Sequence, residues 1–287
     1  MPERRGPLFV TILLAVVLLV AVSAWLLTDP ATTRADALRT GGLASGAVIA
    51  LYALWLNDRR RRVEESRQQT ERDRHELELL RAERDRERVT DERFAKSVEL
   101  LGHDADQVRV GALHALAGLA RSNPEYTQTV LDVLCSYLRR PFAHPDFGDD
   151  TDEAEARREE VVRVAAQRLV RDLLPKRADA APTFDLDLSG ARTNRLDLSG
   201  RVVGRLLMQR AQLLHRTDFS GTEFRGRVHF TAAEPRGPLT FAGAVFRERA
   251  GFDGMRSADE VNFARAEFRR GATLDGAEFA GATALRQ

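Results

Sequence analysis

The chain has 287 residues, with 44 basic and 43 acidic side chains, a formal net charge of +1 and one cysteine. This near-neutral balance argues against a general nucleic-acid binder, which usually carries a strongly basic face. A single cysteine excludes an intrachain disulfide. The composition changes along the chain: residues 1–56 are mostly apolar, a charged stretch follows, and the C-terminal third is repetitive.

Two uncharged apolar runs near the N-terminus predict a membrane hairpin. The first run, residues 8–27, spans about 30 Å as a helix, which is the thickness of a bilayer core. The second run, residues 41–56, is shorter and has Tyr52 and Trp55 toward its end, where amphipathic rings favour the headgroup level. A secretory signal peptide is the alternative for the first run, but this run exceeds the usual apolar region and a second run follows it.

Arginine clusters predict the orientation of this hairpin. Cytoplasmic flanks of membrane helices are enriched in Lys and Arg, and the clusters at 4–5 and 59–62 outweigh the two arginines between the runs. The protein is therefore expected in the cell membrane as a two-helix, multi-pass protein with both termini cytoplasmic. The residues after the second run that carry this prediction are Arg59, Arg60, Arg61 and Arg62.

Small residues recur on one face of the second run, at Gly42, Gly46 and Ala50. Such a stripe lets two helices approach closely in lipid. It favours contact with the first helix of the same chain, and a homodimer is the alternative.

Residues 58–92 are predicted to form a charged helical linker. No Gly or Pro interrupts them, and oppositely charged pairs four residues apart recur, as at Arg88 and Glu92. A coiled coil would need sustained apolar heptads, and residues 64–76 have none.

Apolar residues at helical spacing predict a small all-α module over residues 93–175. A turn at 102–104 precedes a second helix with Asp104 or Asp106 as its N-cap, and Asn123-Pro124 begins a third helix. Residues 140–152 are expected to form a loop before a last helix over 153–174. Two helix pairs resemble a HEAT- or armadillo-type unit. Cys135 is expected to be a buried, inert thiol.

The strongest pattern is a repeat of large apolar residues in the C-terminal third. Members recur every eleven residues from Phe219 to Leu285, and a second series follows five residues behind, so that the spacing alternates between five and six. Residues two positions earlier are small or β-branched and face the same way in an extended segment. The predicted internal residues are Leu188, Leu198, Phe219, Phe224, Phe230, Phe241, Phe246, Phe252, Phe263, Phe268, Leu274, Phe279 and Leu285.

The sequence Leu-Asp-Leu-Ser-Gly at 186–190 is repeated at 196–200. Over about residues 184–287, the pattern resembles the pentapeptide-repeat family, in particular membrane-anchored bacterial members. The resemblance implies an all-β solenoid, a right-handed quadrilateral β-helix with four short faces per coil, here of roughly five coils about 4.8 Å apart. One column of the repeat contains Pro235 and Ser257 before Phe279, so that a bulge or loop is expected there.

The sequence lacks the common motifs of catalytic and metal-binding sites. The sequence has no phosphate-binding glycine loop, no Gly-x-Ser-x-Gly elbow and no Cys or His cluster at metal-ligand spacing. His103 near Asp104, and His144 near Asp146, come closest to ligand sets, but they lie in turns where Asp commonly caps helices. We therefore predict no enzyme, no catalytic residue, no cofactor and no metal.

A membrane-anchored scaffold is the favoured function, with a cytoplasmic repeat rod for protein–protein contact. Its expected partners are the lipid bilayer and an unidentified protein, docking on the rod's end faces or the helical module's groove. One alternative is a module that interacts with nucleic acid or a topoisomerase, since some pentapeptide-repeat proteins are acidic mimics of DNA. Residues 181–287 carry 16 Arg and 13 acidic residues, the wrong sign for a mimic, and nucleic acid is not an expected partner. The other alternative is an accessory domain of a membrane transporter or enzyme.

Overall fold

The structure is a computed structural model that describes residues 6–28, 34–177 and 181–280. The chain divides into two compact units, Met1–Arg86 and Glu87–Gln287. We describe each unit by itself.

The described part of the first unit consists of two helices, of which the second ends within the second unit. Helix α1 is Gly6–Thr28, and α2 is the 67-residue helix Arg34–Leu100. Helix α2 contains the second apolar run, the predicted linker and the first helical segment of the predicted module without a break, because no proline occurs along it. The predicted pair of Arg88 and Glu92 forms at 2.8 Å on its exposed surface.

Within the described residues, none of the helices combines enough length with enough apolar sequence to cross a membrane. The predicted spans 8–27 and 41–56 lie within α1 and α2 and gain no support from this result. Residues 29–33 of the predicted external loop lie outside the described residues.

Three helices follow α2 in the second unit: α3 is Asp106–Ser122, α4 is Thr127–Arg139 and α5 is Glu153–Leu173. Each packs against the other two.

The start of α5 matches the prediction, and its N-cap is Asp152, whose side chain accepts a hydrogen bond from the Ala154 N–H. The predicted N-cap of α3 is wrong: Ala105 occupies that position, and Asp106 instead binds Arg109. The likeness to a HEAT or armadillo unit stays a prediction.

A β-solenoid of about four turns follows the helices, and its strands have two or three residues each. The strands are β1 (Leu186–Asp187), β2 (Arg192–Asn194), β3 (Val202–Val203), β4 (Leu206–Leu207), β5 (Gln212–Leu214), β6 (Thr217–Asp218), β7 (Glu223–Phe224), β8 (Val228–His229), β9 (Glu234–Pro235), β10 (Leu239–Thr240), β11 (Val245–Phe246), β12 (Ala250–Gly251), β13 (Arg256–Ser257), β14 (Val261–Asn262), β15 (Glu267–Phe268), β16 (Ala272–Thr273) and β17 (Glu278–Phe279).

Parallel pairing places these strands in four stacks that the chain visits in a fixed order. The first stack is β1-β4-β8-β12-β16, the second begins as β2-β5-β9, the third is β6-β10-β14 and the fourth is β3-β7-β11-β15. Leu206 of β4 pairs with Leu186 on the turn before it and with Val228 on the turn after it. From Leu206 onward, one turn of the solenoid therefore contains two intervals of five and two of six, which is the alternating spacing of the sequence.

From Phe219 onward, phenylalanine rings fill most of the solenoid interior, whereas aliphatic side chains fill the turn before it. Rings of one column stack nearly parallel, with 5.2 Å between Phe219 and Phe241 and 5.1 Å between Phe241 and Phe263. Rings of neighbouring columns meet edge to face, as do Phe230 and Phe241 at 89°. Both arrangements are favourable for aromatic quadrupoles, so a single ring type packs the interior in two directions.

The column with Pro235 and Ser257 does not contain the bulge that was expected. Between Leu213 and Phe279, a stretch that the structure describes throughout, the turns keep a constant length and no residue is looped out. Two backbone hydrogen bonds join β13 to β9, from Arg256 N–H to Ala233 O and from Ala258 N–H to Pro235 O. Proline fits at position 235 because the N–H groups on either side of it donate the hydrogen bonds to the turn before. The nitrogen of Pro235 is not needed as a donor.

Replacing Phe241 with Ala should lower the free energy of unfolding by about 3–5 kcal/mol. The ring is fully buried and stacks on two others, so its removal leaves a cavity between turns. Urea pulse proteolysis of the full chain, following the fragment that contains the solenoid, measures the change. Leu274→Ala is the control, because Leu274 is 37% exposed, and it should cost about 1 kcal/mol or less. Equal losses would contradict the stacked core.

Gly237 is a position where stacked turns leave no room for a side chain. A Cβ atom there would lie 2.6 Å from the backbone carbonyl carbon of His215. Gly237→Ala should therefore destabilise the fold by about 1–3 kcal/mol, as overpacking does. Gly111→Ala is the matched control: it lies in α3 with nothing within 4 Å of the added atom, and it should stabilise by about 0.5–1 kcal/mol. The same proteolysis assay decides, and a tolerated Gly237→Ala would contradict the stated spacing between turns.

Candidate interaction surfaces

The helices cover the first turn of the solenoid, where a strand edge would otherwise lack a partner. Gln128 of α4 bonds to the backbone of Asp185 in both directions: its Nε2 donates to the carbonyl at 3.0 Å, and its Oε1 accepts from the N–H at 2.9 Å. One amide side chain thus makes the two hydrogen bonds that a further strand would make. Edge strands without such cover are sites of unwanted pairing.

Further contacts from the helices cover the rest of the exposed edge of the first turn. Arg139 binds Asp187 at 2.5 Å and Arg171 binds Asp197 at 2.7 Å. The Val202 N–H of β3 donates to the carbonyl of Pro175, just after α5. We call α3–α5 with this covered edge the helical cap. The N-terminal end face of the rod, one of the predicted docking surfaces, is therefore occupied by the protein's own helices.

Arg163 of α5 is buried at the centre of this junction, with 2% of its side chain exposed. Its guanidinium donates to the carbonyls of Leu138, of Arg140 at 3.4 Å and of Arg192 at 3.2 Å, and lies 4.7 Å from the centre of the Phe142 ring. Burial lowers the pKa of Arg163, while the charge of Glu159 acts in the opposite direction. The side chain joins α4, α5 and the first turn into one packed body.

The loop predicted over residues 140–152 folds against the second stack of strands. Phe142, Phe147 and Leu214 form a small buried cluster, and the guanidinium of Arg192 lies 4.7 Å from the centre of the Phe147 ring. Asp149 binds Arg192 and also accepts the His144 N–H. Those two bonds lower the pKa of Asp149, the His144 bond having the larger effect. This face of the first turns is therefore occupied by the loop.

The predicted groove of the helical module is a cavity of about 480 Å³ between the 101–106 turn, the 140–143 loop and α5. Its floor is an ion-pair network in which Arg109 binds Asp106 at 2.6 Å, Glu159, and the Tyr137 hydroxyl at 3.1 Å. Burial acts to lower the pKa of Arg109, but hydrogen bonds to the two carboxylates outweigh it, so that this pKa is raised. The charges of the floor are therefore satisfied by one another.

The Cys135 thiol and the Tyr137 hydroxyl of the module are not activated as nucleophiles. Burial raises the pKa of the Cys135 thiol to about 12, and burial with the charge of Glu159 raises the pKa of Tyr137 to about 12. Both groups are thus protonated at neutral pH. Among the described residues, no group of three or more His, Cys, Asp or Glu side chains could hold a metal ion.

The burial of the predicted internal residues decreases toward the last described turn of the solenoid. Those from Leu188 to Phe263 are buried, and Phe268 and Phe279 are half-buried. Leu274 is the exception, at 37% exposed, because its turn is the last described one and no further turn covers it on that side. Leu285 lies outside the described residues. Of the arginines that predicted the orientation, Arg60 lies exposed on α2, and the side chains of Arg59, Arg61 and Arg62 are outside the described set.

Glu223 is a buried, ion-paired carboxylate that was not predicted from the sequence. It projects from the outer face of β7 with only 4% of its side chain exposed, and its carboxylate binds Arg225 at 3.0 Å and Arg247 at 2.5 Å. Burial acts to raise the pKa of Glu223, yet the two guanidinium groups hold it below its ordinary value near 4.5. The signal was present in the sequence as arginines at equivalent positions of successive repeats, 225 and 247.

Comparisons of the chain with protein-family models, with curated proteins and with solved structures found no match.

Replacing Glu223 with Gln should weaken the dependence of stability on pH in acid. Because the pKa of Glu223 is lower in the folded than in the unfolded state, its contribution is complete above about pH 4.5 and is lost as the pH falls through the folded value. Glu223→Gln should therefore be less stable than the wild type at neutral pH and should lose less stability across that acid window. Glu278→Gln, at an exposed pair with Arg256, should keep the wild-type slope. Urea unfolding between pH 3 and pH 7, about the range set by ordinary carboxylate pKa values, measures both, and identical slopes would contradict the assignment.

Proposed function

We propose that the protein is a non-enzymatic scaffold that presents the outer faces of its solenoid to a protein partner. The apolar runs 8–27 and 41–56 would anchor it in the cell membrane with both termini cytoplasmic. The repeat would belong to the pentapeptide-repeat architecture, a right-handed quadrilateral β-helix. Each of these statements extends the sequence predictions and needs its own test.

The observation that supports the scaffold proposal is which parts of the solenoid are already filled or covered by the protein itself. Rings fill its interior, the helical cap covers its first turn, and the charges of the groove floor are paired with one another. The lateral faces beyond the loop 140–152 remain as ordered surface. Stacked repeats supply such a surface because each turn mainly contacts its neighbours.

The membrane proposal rests on the uncharged run 8–27 and on the arginines that follow the second run. Topology reporters fused after residues 62 and 287, with a third in the loop near residue 34, test it. Reporters at 62 and 287 active on the cytoplasmic side, with the loop reporter external, would support the anchored orientation. An external C-terminal reporter would overturn it, and a chain recovered wholly in the soluble fraction would overturn anchoring itself.

A photo-crosslinking residue placed at exposed solenoid positions should capture a protein partner in the source cells. Arg216, Arg256 and Arg269 are suitable, because they are exposed and lie on three different stacks of strands. Arg157, equally exposed on α5, is the control and should give no adduct. Gel-shifted adducts identified by mass spectrometry are the readout.

The pattern of adducts decides between the surfaces. One adduct of defined size from one or two neighbouring solenoid positions supports a docking face on the rod. Adducts from Arg157 alone would move the site to the helical cap, and equal adducts from every position, control included, would contradict a specific scaffold.

A further inference from the structure

Arginines gather at one corner of the solenoid, where the chain passes from the fourth stack of strands to the first. Three successive copies of this corner are residues 225–227, 247–249 and 269–271, and on the turn before them the equivalent Arg205 pairs with Asp185 at 3.3 Å. We call it the arginine corner. Its members are Arg225, Arg227, Arg247, Arg249, Arg269 and Arg270.

Four of these six arginines are engaged with carboxylates. Arg225 and Arg247 share Glu223, Arg269 lies 3.7 Å from Glu267, and Arg270 lies 3.2 Å from Glu248. The other two, Arg227 and Arg249, are exposed, and within the described part of the chain neither has an ion-pair partner. These two are the available charges of the corner.

Arg227 and Arg249 occupy equivalent positions on adjacent turns. The Val228 N–H donates to the carbonyl of Arg249 at 3.2 Å, so the two backbones are one strand spacing apart, about 4.8 Å. Their side chains leave equivalent positions of adjacent turns, so that two like charges can approach closely enough to repel each other. An anion placed between them removes the repulsion and gains charge-assisted hydrogen bonds from both guanidinium groups.

Beside the two arginines lies a groove of about 510 Å³ on the outer face of the first stack. Gly251 forms its buried floor, and its register neighbours His229 and Thr273 flank it. A Cβ atom at Gly251 would lie 3.5 Å from both Asp253 Oδ2 and Thr273 Oγ1, and 3.7 Å from His229 Nδ1. The missing side chain therefore leaves space at the point where three polar side chains converge.

Besides the Glu248–Arg270 pair, whose charges offset each other at 3.2 Å, the polar groups that line the groove are of two kinds. Arg227 and Arg249 offer positive charge at the rim. Asp253, held by the Thr273 hydroxyl at 2.8 Å and by the Asp275 N–H at 3.0 Å, offers acceptor oxygens beside His229. A bare anion would use the arginines and be repelled by the carboxylate. A ligand that carries both an anionic group and hydroxyl donors would use both sets.

We propose that this groove binds a phosphate ester whose organic part carries hydroxyl groups. The phosphate lies between Arg227 and Arg249, and a hydroxyl of the organic part donates to Asp253 above the Gly251 floor. A soluble sugar phosphate and a phosphoinositide headgroup share this chemistry. The site does not depend on the scaffold proposal, because its test measures the binding of small esters and not a protein contact.

Isothermal titration calorimetry of the full chain in a nonionic detergent tests the site with four probes. These are glucose 6-phosphate, inorganic phosphate, glucose, and a short-chain phosphatidylinositol 4-phosphate that stays monomeric. We expect saturable binding of at least one of the two esters, weaker binding of inorganic phosphate and none of glucose. The tighter ester identifies the source, soluble or lipid.

The double variant Arg227→Gln/Arg249→Gln should bind the ester at least about tenfold more weakly, because two charge-assisted contacts are lost. The matched control is Arg210→Gln/Arg265→Gln, which removes the same charge from two exposed positions outside the groove and should leave affinity unchanged. Asp253→Asn should reduce the preference for the ester over inorganic phosphate. Circular dichroism shows that each variant is folded, as expected for exposed or half-buried positions.

Three results would overturn the proposal. The first is that neither ester saturates the wild-type protein. The second is that the groove variant and the control variant weaken binding equally, which would reduce the effect to net charge. The third is that a duplex DNA oligonucleotide binds through Arg227 and Arg249 while both esters fail, which would assign the corner to a different class of ligand.

Discussion

Successive turns of the solenoid are held one strand spacing apart by backbone hydrogen bonds, and most features of the second unit follow from that distance. Because the turns from Leu206 onward keep a constant length, the same position recurs directly above itself, as Phe219, Phe241 and Phe263 do. An aromatic ring is thick enough to fill the interval, so the interior becomes columns of stacked rings. The same interval leaves no room for a Cβ atom at Gly237, where the backbone of the previous turn is in contact. On the outer surface, the same interval places arginines of adjacent turns close together, whether or not an acidic residue lies beside them.

The first turn lacks a preceding turn, and the helices replace it group by group. Gln128 makes the paired hydrogen bonds of a strand, and the carbonyl of Pro175 accepts the N–H of Val202. Arg163 serves carbonyls of both the helices and the first turn from a buried position. Desolvating that guanidinium is costly, and its two terminal nitrogens offset part of the cost by donating to carbonyls, while its buried Nε has no hydrogen-bond partner among the described residues. The junction is therefore specific in geometry, and it fixes the helical cap to the rod.

The periodic part of this fold could be predicted from the sequence, and the non-periodic part could not. The five-and-six spacing predicted the strands and the buried rings, because position in the repeat determines the direction of a side chain. It failed at Pro235, where a residue atypical of strands fits because the ladder does not need its N–H. The roles of Gln128 and Arg163 were missed because both bond to backbone groups far away in the sequence, those of Asp185 and Arg192 in the solenoid among them, and no local pattern marks such contacts. Helix α2 runs through two predicted boundaries because a change of composition is not a helix stop signal. Glu223 was missed for a different reason: its burial depends on arginines of its own and the next turn.

The constant length of the turns also converts sequence number into position on a surface. Moving a side chain to the equivalent position of the next turn shifts it by about 4.8 Å along the same face, with no change in its direction. A set of charges can therefore be lengthened, shortened or interrupted by single substitutions that leave the interior untouched. Gly271, which stands on the third turn where Arg227 and Arg249 stand on the two before it, is one such interruption. The length of a charged row on this rod is thus a property that evolution, or a designer, can set one residue at a time.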